Sequence, residues 1–160
     1  MAGSNPLYYW DTCLFLAWLK DENRNSGEMA GVREVIDRHR KRDVRLMTSV
    51  LTSVEVLSGK IPAGMETLFN GLLKRLTRVS MDTKIAALAH DLRNHYAING
   101  GAKLKTPDAI HLASAILFRA DEFHTFDDAL IALSGNVAGH RLVICKPIAR
   151  NPDLDLQKPK

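Results

Sequence analysis

Short apolar runs alternate with longer segments of helical periodicity along most of this chain. Apolar residues spaced three and four positions apart predict helices, whereas short continuous apolar runs predict buried strands. The predicted strands are 7–10, 44–49, 78–80, 122–126 and 141–145. The predicted helices are 12–20, 28–41, 51–58, 65–76, 83–98, 106–120 and 128–133. Strands and helices therefore alternate, as they do in βαβ units.

No two strands follow one another at hairpin spacing, so the pattern predicts an α/β fold with a parallel sheet. One domain is expected, because 160 residues with 46% apolar content can bury one core and are too few for two ordinary domains. We place this domain at residues 7–146. Residues 147–160, with three prolines and alternating charge, are predicted to be disordered. Residues 1–6 are predicted to be disordered or left over from cloning.

Charge and cysteine content narrow the setting in which the protein works. A net charge of +4 and a pI near 9.2 suit a polyanionic partner without requiring one. Cys13 and Cys145 each lie in an apolar run without zinc-binding spacing, so we expect buried thiols in a reducing compartment. The N-terminus lacks the pattern of a secretory leader, and no apolar run reaches the ~18 residues of a membrane span. A cytoplasmic protein is expected.

Four carboxylates stand at the edges of apolar segments: Asp11, Glu55, Asp108 and Asp127. Asp11 and Asp127 lie where a predicted strand gives way to a helix, and open parallel sheets bind ligands at that edge. Each acid also has a structural explanation. Asp11 and Asp127 can be helix N-caps, and Asp108 lies in a first helical turn. The segment Thr52-Ser53-Val54-Glu55 fits a capping box.

A metal site explains the four acids together. Converging carboxylates repel one another, whereas oxygen ligands on a hard divalent ion stay ionised. The neighbours of Glu55 are Val54, Val56 and Leu57. A helix packed on the sheet would draw this carboxylate inward, where a cation removes the cost of an unpaired charge. Oxygen ligands without a Cys or His cluster select Mg²⁺ or Mn²⁺, so the predicted chemistry is metal-assisted phosphodiester hydrolysis.

Four segments carry a family resemblance: Tyr9-Trp10-Asp11-Thr12, Thr52-Ser53-Val54-Glu55, Lys105-Thr106-Pro107-Asp108-Ala109-Ile110-His111-Leu112-Ala113-Ser114-Ala115, and His124-Thr125-Phe126-Asp127. In this order they resemble the PIN domain family, especially its VapC-type toxin members. The resemblance extends from about Leu7 to Cys145 and is most specific in the third segment. It implies a three-layer α/β/α domain with a parallel five-stranded sheet and the activity of an Mg²⁺- or Mn²⁺-dependent endoribonuclease.

The resemblance also implies roles and partners. The catalytic and metal-binding acids would be Asp11, Glu55, Asp108 and Asp127, with Thr12 supporting the first and Thr125 the last. The substrate would be RNA. Family members of this type are usually homodimers, and a cognate antitoxin protein holds them inactive.

Several choices stay open at this point. Asp127 is preferred to the adjacent Asp128 because it matches the Thr-x-Asp pattern. The basic segment 38–42 and the glycine- and lysine-rich loop 99–105 can contact RNA phosphates or remain solvated. His111 can orient a carboxylate, handle a proton or make an ordinary hydrogen bond.

Two other classes of function are also compatible with the chain. A non-catalytic domain would hold RNA or a protein partner without metal-dependent products. A phosphoacceptor domain would carry phosphate on one of its aspartates, but such domains group their acids near the first strand, where this chain has only Asp11.

Overall fold

Parallel strands form one sheet at the centre of the protein. The computed structural model describes residues 4–22, 24, 27–101 and 103–149. Within these residues the strands are β1 (Leu7–Trp10), β2 (Arg45–Ser49), β3 (Thr77–Val79), β4 (Glu122–His124) and β5 (Ile144–Cys145). They lie in the order β3-β2-β1-β4-β5, and every neighbouring pair is parallel. The predicted parallel five-stranded sheet is confirmed.

Helices cover both faces of the sheet. They are α1 (Thr12–Lys20), α2 (Glu28–Arg40), α3 (Leu51–Glu55), α4 (Met65–Arg75), α5 (Thr83–Asn99), α6 (Thr106–Leu117) and α7 (Asp128–Ile131), with a 3-10 turn at Ser58–Lys60. Helices α1, α2 and α4 pack on one face, and α5, α6 and α7 pack on the other. The predicted three-layer α/β/α architecture is therefore confirmed, with element ends shifted by up to three residues.

The strand order changes direction at β1. The chain passes from β1 outward to β2 and β3, and then returns to the other side of β1 for β4 and β5. In open α/β sheets such a reversal opens a crevice at the carboxyl ends of the adjacent strands, where ligands bind. In this protein Asp11 follows β1, Thr125 follows β4, and α3 follows β2. The topology therefore collects the predicted site residues at one edge of the sheet.

Strand β1 divides the core, because successive side chains on a strand point to opposite faces. Tyr8 and Trp10 pack with α1, α2 and α4, whereas Tyr9 packs with α5 and α6. These three side chains are at most 4% exposed. The Tyr9 ring stacks on Phe123 with 5.0 Å between centroids. The aromatic residues of the first strand therefore belong to the core, as the sequence pattern predicts.

The starts of α5 and α6 differ in how they are capped. Asp82 caps α5 by accepting a hydrogen bond from the backbone N–H of Ile85. Helix α6 begins at Thr106 itself, with Lys105 in the cap position and without a side-chain cap bond. A threonine followed by proline in the sequence suggests a cap at Thr106, but Thr106 is the first residue of the helix. Pro107 lies in the first turn, where its missing N–H leaves no intrahelical bond unmade.

Both ends of the described chain contact the domain. The side-chain amide of Asn5 donates to the carbonyl oxygen of Arg42 at 2.5 Å. The backbone of Pro147 passes over Gly31, where an added Cβ would stand 2.0 Å from the Pro147 carbonyl oxygen. Glycine is therefore required at position 31. Segments 1–6 and 147–160 were predicted to be disordered. Of these, positions 1–3 and 150–160 lie outside the described residues.

The two cysteines are partly exposed, so the prediction of buried thiols is wrong. Cys13 lies in the first turn of α1 at the sheet edge, and Cys145 ends the outer strand β5. These are positions where an apolar run in the sequence still meets solvent. Among the described residues, no helix combines the length and apolar character needed to cross a membrane.

Candidate metal centre at the sheet edge

Asp11 leaves the end of β1 and lies 8% exposed above the sheet edge. One carboxylate oxygen accepts the N–H of Thr12 at 2.7 Å, and the other accepts the hydroxyl of Thr125 at 2.9 Å. Asp11 is the N-cap of α1, as the structural explanation required. The same geometry holds its carboxylate in the crevice. Capping and a role in the site are therefore compatible at this position.

Glu55 lies at the end of α3 and reaches across to α1 and α6. Its Oε1 accepts the Thr12 hydroxyl at 2.8 Å and lies 2.7 Å from Nε2 of His111. The capping box is not formed, because Val50 is the cap residue of α3 and makes no side-chain cap bond. We expected the apolar neighbours of Glu55 to draw it inward. Of these neighbours only Val56 is buried, whereas Val54 is 70% exposed.

The state of Glu55 depends on these two partners. Burial raises the pKa of Glu55, but the hydrogen bonds with His111 and Thr12 outweigh burial, and the pKa lies below its ordinary value. The carboxylate is therefore ionised at neutral pH. Both hydrogen bonds reach Oε1. No described residue makes a hydrogen bond to Oε2.

His111 is fully enclosed at 1% exposure and bridges the site to β1. Its Nδ1 lies 2.6 Å from the hydroxyl oxygen of Tyr9, and its Nε2 lies 3.9 Å from Asp11 Oδ1. Burial and then the charge of Asp11 raise the pKa of Tyr9 well above its ordinary value, so the phenol stays protonated. The sequence placed His111 near Asp108, whereas the structure pairs it with Glu55.

Threonine hydroxyls form a further hydrogen-bond network next to Glu55. Thr48 donates to the carbonyl oxygen of Trp10 at 2.8 Å, and Thr12 donates to Glu55. Because Thr48 and Thr12 have each used their one proton, Thr52 supplies the proton for its 2.7 Å contact with Thr48. Thr48 and Thr52 are fully buried, and their hydrogen bonds fix the strand end against α3.

Asp108 lies in the first turn of α6 and faces two other acids. Burial, then the charge of Asp11 and then the charge of Asp127 raise the pKa of Asp108 to about 6. His111 and Lys105 oppose this rise. No described residue donates a hydrogen bond to the Asp108 carboxylate. Three acids distant in sequence therefore share one electrostatic environment.

Asp127 and its neighbour Asp128 face different surroundings. Asp127 caps α7 by accepting the N–H of Ala129 at 2.9 Å, and its own N–H donates to the hydroxyl oxygen of Thr125 at 3.1 Å. Its charge acts on Asp108. Asp128 instead adds to the effect of Glu28, which raises the pKa of Lys146. Of the two adjacent acids, Asp127 is therefore the one whose charge acts on Asp108.

The donor set fits a hard divalent cation in its chemistry. All four side chains offer carboxylate oxygens, the ligands that Mg²⁺ and Mn²⁺ prefer. Within the described residues, no lysine or arginine forms an ion pair with any of them. Among those residues, no three of the four acids bring ligand atoms within 4.8 Å of one another. Carboxylates held in one crevice repel one another, and a shared cation would remove that repulsion.

Comparison with known proteins identifies the family of the chain. The sequence profile of the PIN domain family matches residues 8–136, which include all four acids. The chain belongs to the PIN domain family. No curated protein matches the chain in sequence.

Solved structures share the fold of this PIN domain. A chain of a toxin–antitoxin complex from Klebsiella pneumoniae is 23% identical, covers 84% of this chain and 99% of its own length, and gives a TM-score of 0.59. A chain of VapBC2 from Rickettsia felis, bound to a promoter DNA fragment, is 14% identical with 86% and 98% coverage and a TM-score of 0.65. A chain of FitAcB from Neisseria gonorrhoeae is 16% identical with 88% and 97% coverage and a TM-score of 0.62. At these identities the likeness establishes the fold alone.

A second polar cluster lies on the other face of the PIN domain. The ligand atoms of Glu122, His124 and Cys145 lie within 4.8 Å of one another, close enough to share a metal ion. However, the indole N–H of Trp10 donates to Nδ1 of His124 at 3.1 Å. In a neutral imidazole the proton is then on Nε2, which lies 3.1 Å from Glu122 Oε1. A nitrogen that carries a proton has no lone pair for a metal, so this cluster is poorly suited to bind one.

The basic residues that the sequence singled out mostly have partners within the chain. Arg38 donates to the Tyr8 hydroxyl at 3.4 Å, and Lys41 pairs with Asp37 at 2.9 Å. Arg93 of α5 holds the carbonyl oxygen of Leu104 at 3.1 Å. A cavity of about 390 Å³ is lined by His90, Arg93, Asn94, Tyr96, Ala97, Gly101, Lys103 and Leu104. The loop before α6 therefore borders this cavity and contributes Lys103 to its lining.

The sequence missed the hydrogen-bond network around Glu55. It identified the acid and gave His111 three possible roles, but did not pair the two residues. Thr48 in β2 and Thr52 in α3 were not recognised as members of this network, although both are fully buried. The available signal was a histidine in an otherwise apolar stretch of α6, because a buried imidazole needs partners for both nitrogens.

Proposed function

We propose that this PIN domain is a divalent-metal-dependent endoribonuclease and the toxin of a toxin–antitoxin pair. The observation that supports the proposal is that three acids distant in sequence act on one another: burial, then the charge of Asp11 and then the charge of Asp127 raise the pKa of Asp108 to about 6. A stable fold gains nothing from unneutralised carboxylates held in one crevice. A bound cation would neutralise the repulsion between these carboxylates, which would then stabilise the bound ion.

The residues that would hold the ion are Asp11, Glu55, Asp108 and Asp127. Asp108 and the Oε2 atom of Glu55 are free of hydrogen bonds from described residues, so they can turn to a ligand without losing a partner. A bound Mg²⁺ or Mn²⁺ would supply Lewis-acid polarisation of a phosphoryl oxygen and a more acidic water. The two hydroxyls of Thr12 and Thr125 orient Glu55 and Asp11, respectively.

Asp108 links the proposed activity to pH. Before a cation binds, burial and then the charges of Asp11 and Asp127 raise the pKa of its carboxyl group to about 6. Proton uptake at Asp108 competes with cation binding, since a protonated carboxyl is a poor ligand. We therefore expect activity to fall as the pH drops through 6.

RNA is the proposed substrate. The net charge of +4 favours a polyanion, and the cavity beside α5 places Arg93 and Lys103 on the side of the loop that precedes Asp108. Among the described residues neither cation forms an ion pair with an acid, so both remain available for phosphates.

An inhibitory antitoxin is the proposed protein partner, because the solved structures with this fold are named as toxin–antitoxin, VapBC and FitAcB complexes. We further propose that the chain forms a homodimer. Co-expression with the adjacent gene product tests the first proposal, and light scattering of the purified chain tests the second. A monomer at all concentrations would remove the homodimer.

Cleavage of a mixed RNA pool tests the enzymatic proposal. Wild type, Asp11→Asn and Glu122→Gln are incubated with Mg²⁺, with EDTA added in parallel. We expect fragments from wild type and Glu122→Gln, and none from Asp11→Asn or with EDTA. Equal cleavage by Asp11→Asn would contradict the proposed centre. RNA binding by all three proteins without products would favour a non-catalytic binding domain.

A further inference from the structure

We propose that His111 is the positioning residue for Glu55: its Nε2–H holds Oε1 so that Oε2 faces the metal. This inference rests on the proposed function only for the presence of a cation. The contact itself is short, 2.7 Å between Nε2 and Oε1, and His111 is 1% exposed. No role for His111 follows from the four acids alone.

The direction of this hydrogen bond follows from the chemistry of the two groups. An ionised carboxylate only accepts, so the proton between His111 and Glu55 belongs to Nε2. The Thr12 hydroxyl also donates to Oε1, at 2.8 Å. Oε1 therefore receives two protons, while no described residue donates to Oε2. Such an asymmetric carboxylate has one oxygen anchored and one oxygen available.

The far side of the ring fixes its orientation. Nδ1 lies 2.6 Å from the Tyr9 hydroxyl, which donates to it when the ring is neutral. If the ring carries both protons, Nδ1–H donates to Tyr9 instead, and Nε2–H still points to Glu55. The bond to Glu55 is therefore the same in either state. Tyr9 is rigidly held, because its ring is fully buried and stacks on Phe123.

The elements that meet at His111 explain why Glu55 needs an anchor. Glu55 lies at the last residue of the five-residue helix α3, which has no side-chain cap, and its neighbour Val54 is 70% exposed. A long side chain at the end of a short helix has several rotamers in reach. His111 comes from the interior of α6, a rigid element in contact with β2. Anchoring one oxygen to this helix selects one rotamer before the metal arrives.

A matched pair of substitutions separates the two arms of the ring. In His111→Gln the side-chain amide nitrogen reaches the position of Nε2 and can donate to Glu55. In His111→Asn the shorter side chain reaches only the position of Nδ1 and contacts Tyr9 instead. Both are neutral amides of reduced volume, so each leaves some empty space beside the ring site. Only the glutamine restores the anchor.

The readout is the Mn²⁺ dissociation constant, measured by calorimetry on folded wild type, His111→Gln, His111→Asn and Glu55→Gln. Loss of a residue that orients a ligand weakens metal binding by about 10–100-fold. We expect that loss in His111→Asn and Glu55→Gln, and recovery to within about threefold of wild type in His111→Gln. Equal binding by wild type and His111→Asn, or equal losses in both His111 variants, would overturn the proposal. Circular dichroism and melting temperatures verify that the variants are folded.

The outcomes distinguish this inference from the proposed nuclease. If the expected Mn²⁺ affinities are observed and no RNA is cut, positioning by His111 stands and the enzymatic proposal fails. If RNA is cut with Mg²⁺ and His111→Asn binds Mn²⁺ as wild type does, the nuclease stands and positioning fails. If wild type binds no Mn²⁺, the positioning proposal is overturned because Glu55 has no ion to face.

Discussion

Two histidine–glutamate pairs lie on opposite faces of the sheet and resemble each other in detail. His111 lies 2.7 Å from Glu55, and His124 lies 3.1 Å from Glu122, each through Nε2. Both imidazoles are nearly inaccessible to solvent. The similarity shows that a buried histidine paired with a glutamate does not by itself identify a functional site.

Two consecutive residues of β1 form hydrogen bonds with the two histidine rings. The Tyr9 hydroxyl meets Nδ1 of His111, and the Trp10 indole meets Nδ1 of His124. Because side chains alternate along a strand, neighbouring positions reach opposite faces. A phenol can donate or accept, whereas an indole N–H only donates. His124 is therefore restricted to one neutral tautomer, while the Tyr9 contact accommodates either charge state of His111.

The surroundings of the two glutamates differ most. Glu55 is linked to Asp11 through Thr12 and His111, and no described lysine or arginine forms an ion pair with either acid. On the other face, Arg38 and Lys146 line the same depression as Glu122. The absence of an ion pair with a described lysine or arginine therefore distinguishes the prospective metal centre from the structural pair.

The largest expected effect is on catalysis. Asp108→Asn removes a carboxylate from the crevice, whereas Glu122→Gln removes one from the opposite face. Loss of a metal ligand forfeits several kcal/mol of transition-state stabilisation, so we expect Mg²⁺-dependent RNA cleavage to fall at least about 100-fold in Asp108→Asn. Glu122→Gln should stay within about twofold of wild type. Comparable losses in both variants, measured by single-turnover cleavage, would remove the distinction between the faces.

A large effect on stability is expected at Gly31 in α2. An added Cβ would stand 2.0 Å from the Pro147 carbonyl oxygen, so Gly31→Ala must displace the segment after β5. We expect a loss of about 1–3 kcal/mol in the free energy of unfolding. Gly71→Ala in α4 is the control, because its Cβ would meet nothing within 4 Å and the substitution should stabilise by about 0.5–1 kcal/mol. Urea titration of both variants measures these changes, and destabilisation by Gly71→Ala alone would contradict the packing described.

A smaller, pH-dependent effect is expected at Asp108. Folding raises its pKa from 3.8 to about 6, so the folded state binds more protons between these values and ionisation costs stability. The cost is absent below pH 3.8 and complete above about pH 6. In EDTA, Asp108→Asn should therefore stabilise the protein at pH 7.5 by about 1 kcal/mol, after allowance for solvent screening. This gain should vanish as the pH falls toward 4.

Asp128→Asn is the matched control for this pH dependence. Asp128 is an exposed residue next in sequence to Asp127, and its charge acts on Lys146 rather than on Asp108. We expect no gain in stability from its substitution at pH 7.5. A gain equal to that of Asp108→Asn would show that general charge reduction, rather than the crevice, explains the result.

The smallest effect is expected at Cys145. If the tautomer of His124 excludes a metal, Cys145→Ser leaves Mn²⁺ affinity within about twofold of wild type. Titration of wild type with Co²⁺ should also give no thiolate-to-metal absorption band. A band that is present in wild type and absent in Cys145→Ser would show that Trp10 does not control the ring, and the second cluster would become a metal site.

The sequence predicts the fold of this protein well and the hydrogen-bond network of its site poorly. Strand–helix alternation is a local property, so periodicity locates all five strands and the parallel sheet. The strand order follows from no local pattern, yet Asp11 and Asp127 were placed at the correct edge because both follow strands. The pairing of His111 with Glu55 escaped prediction, since the two residues are 56 positions apart and only the packing of α3 against α6 joins them.

Helix signals were reliable in some places and misleading in others. The helix predicted at 83–98 forms at Thr83–Asn99 and is capped by Asp82. At Thr52–Glu55 the capping-box pattern was misleading, because Thr52 bonds to Thr48 of β2 and Glu55 accepts from Thr12 of α1, instead of each bonding to the start of α3. Tertiary partners outcompeted the local motif there, and that competition itself marks a site.

The most direct test of the central claim is a crystal of the protein soaked in Mn²⁺, with the ion located by its anomalous scattering. The account predicts an anomalous peak within coordination distance of Asp11 and Asp108, with Glu55 Oε2 turned toward it and Oε1 still held by His111. A peak at Glu122, His124 and Cys145 alone, or no peak at millimolar Mn²⁺, would contradict it.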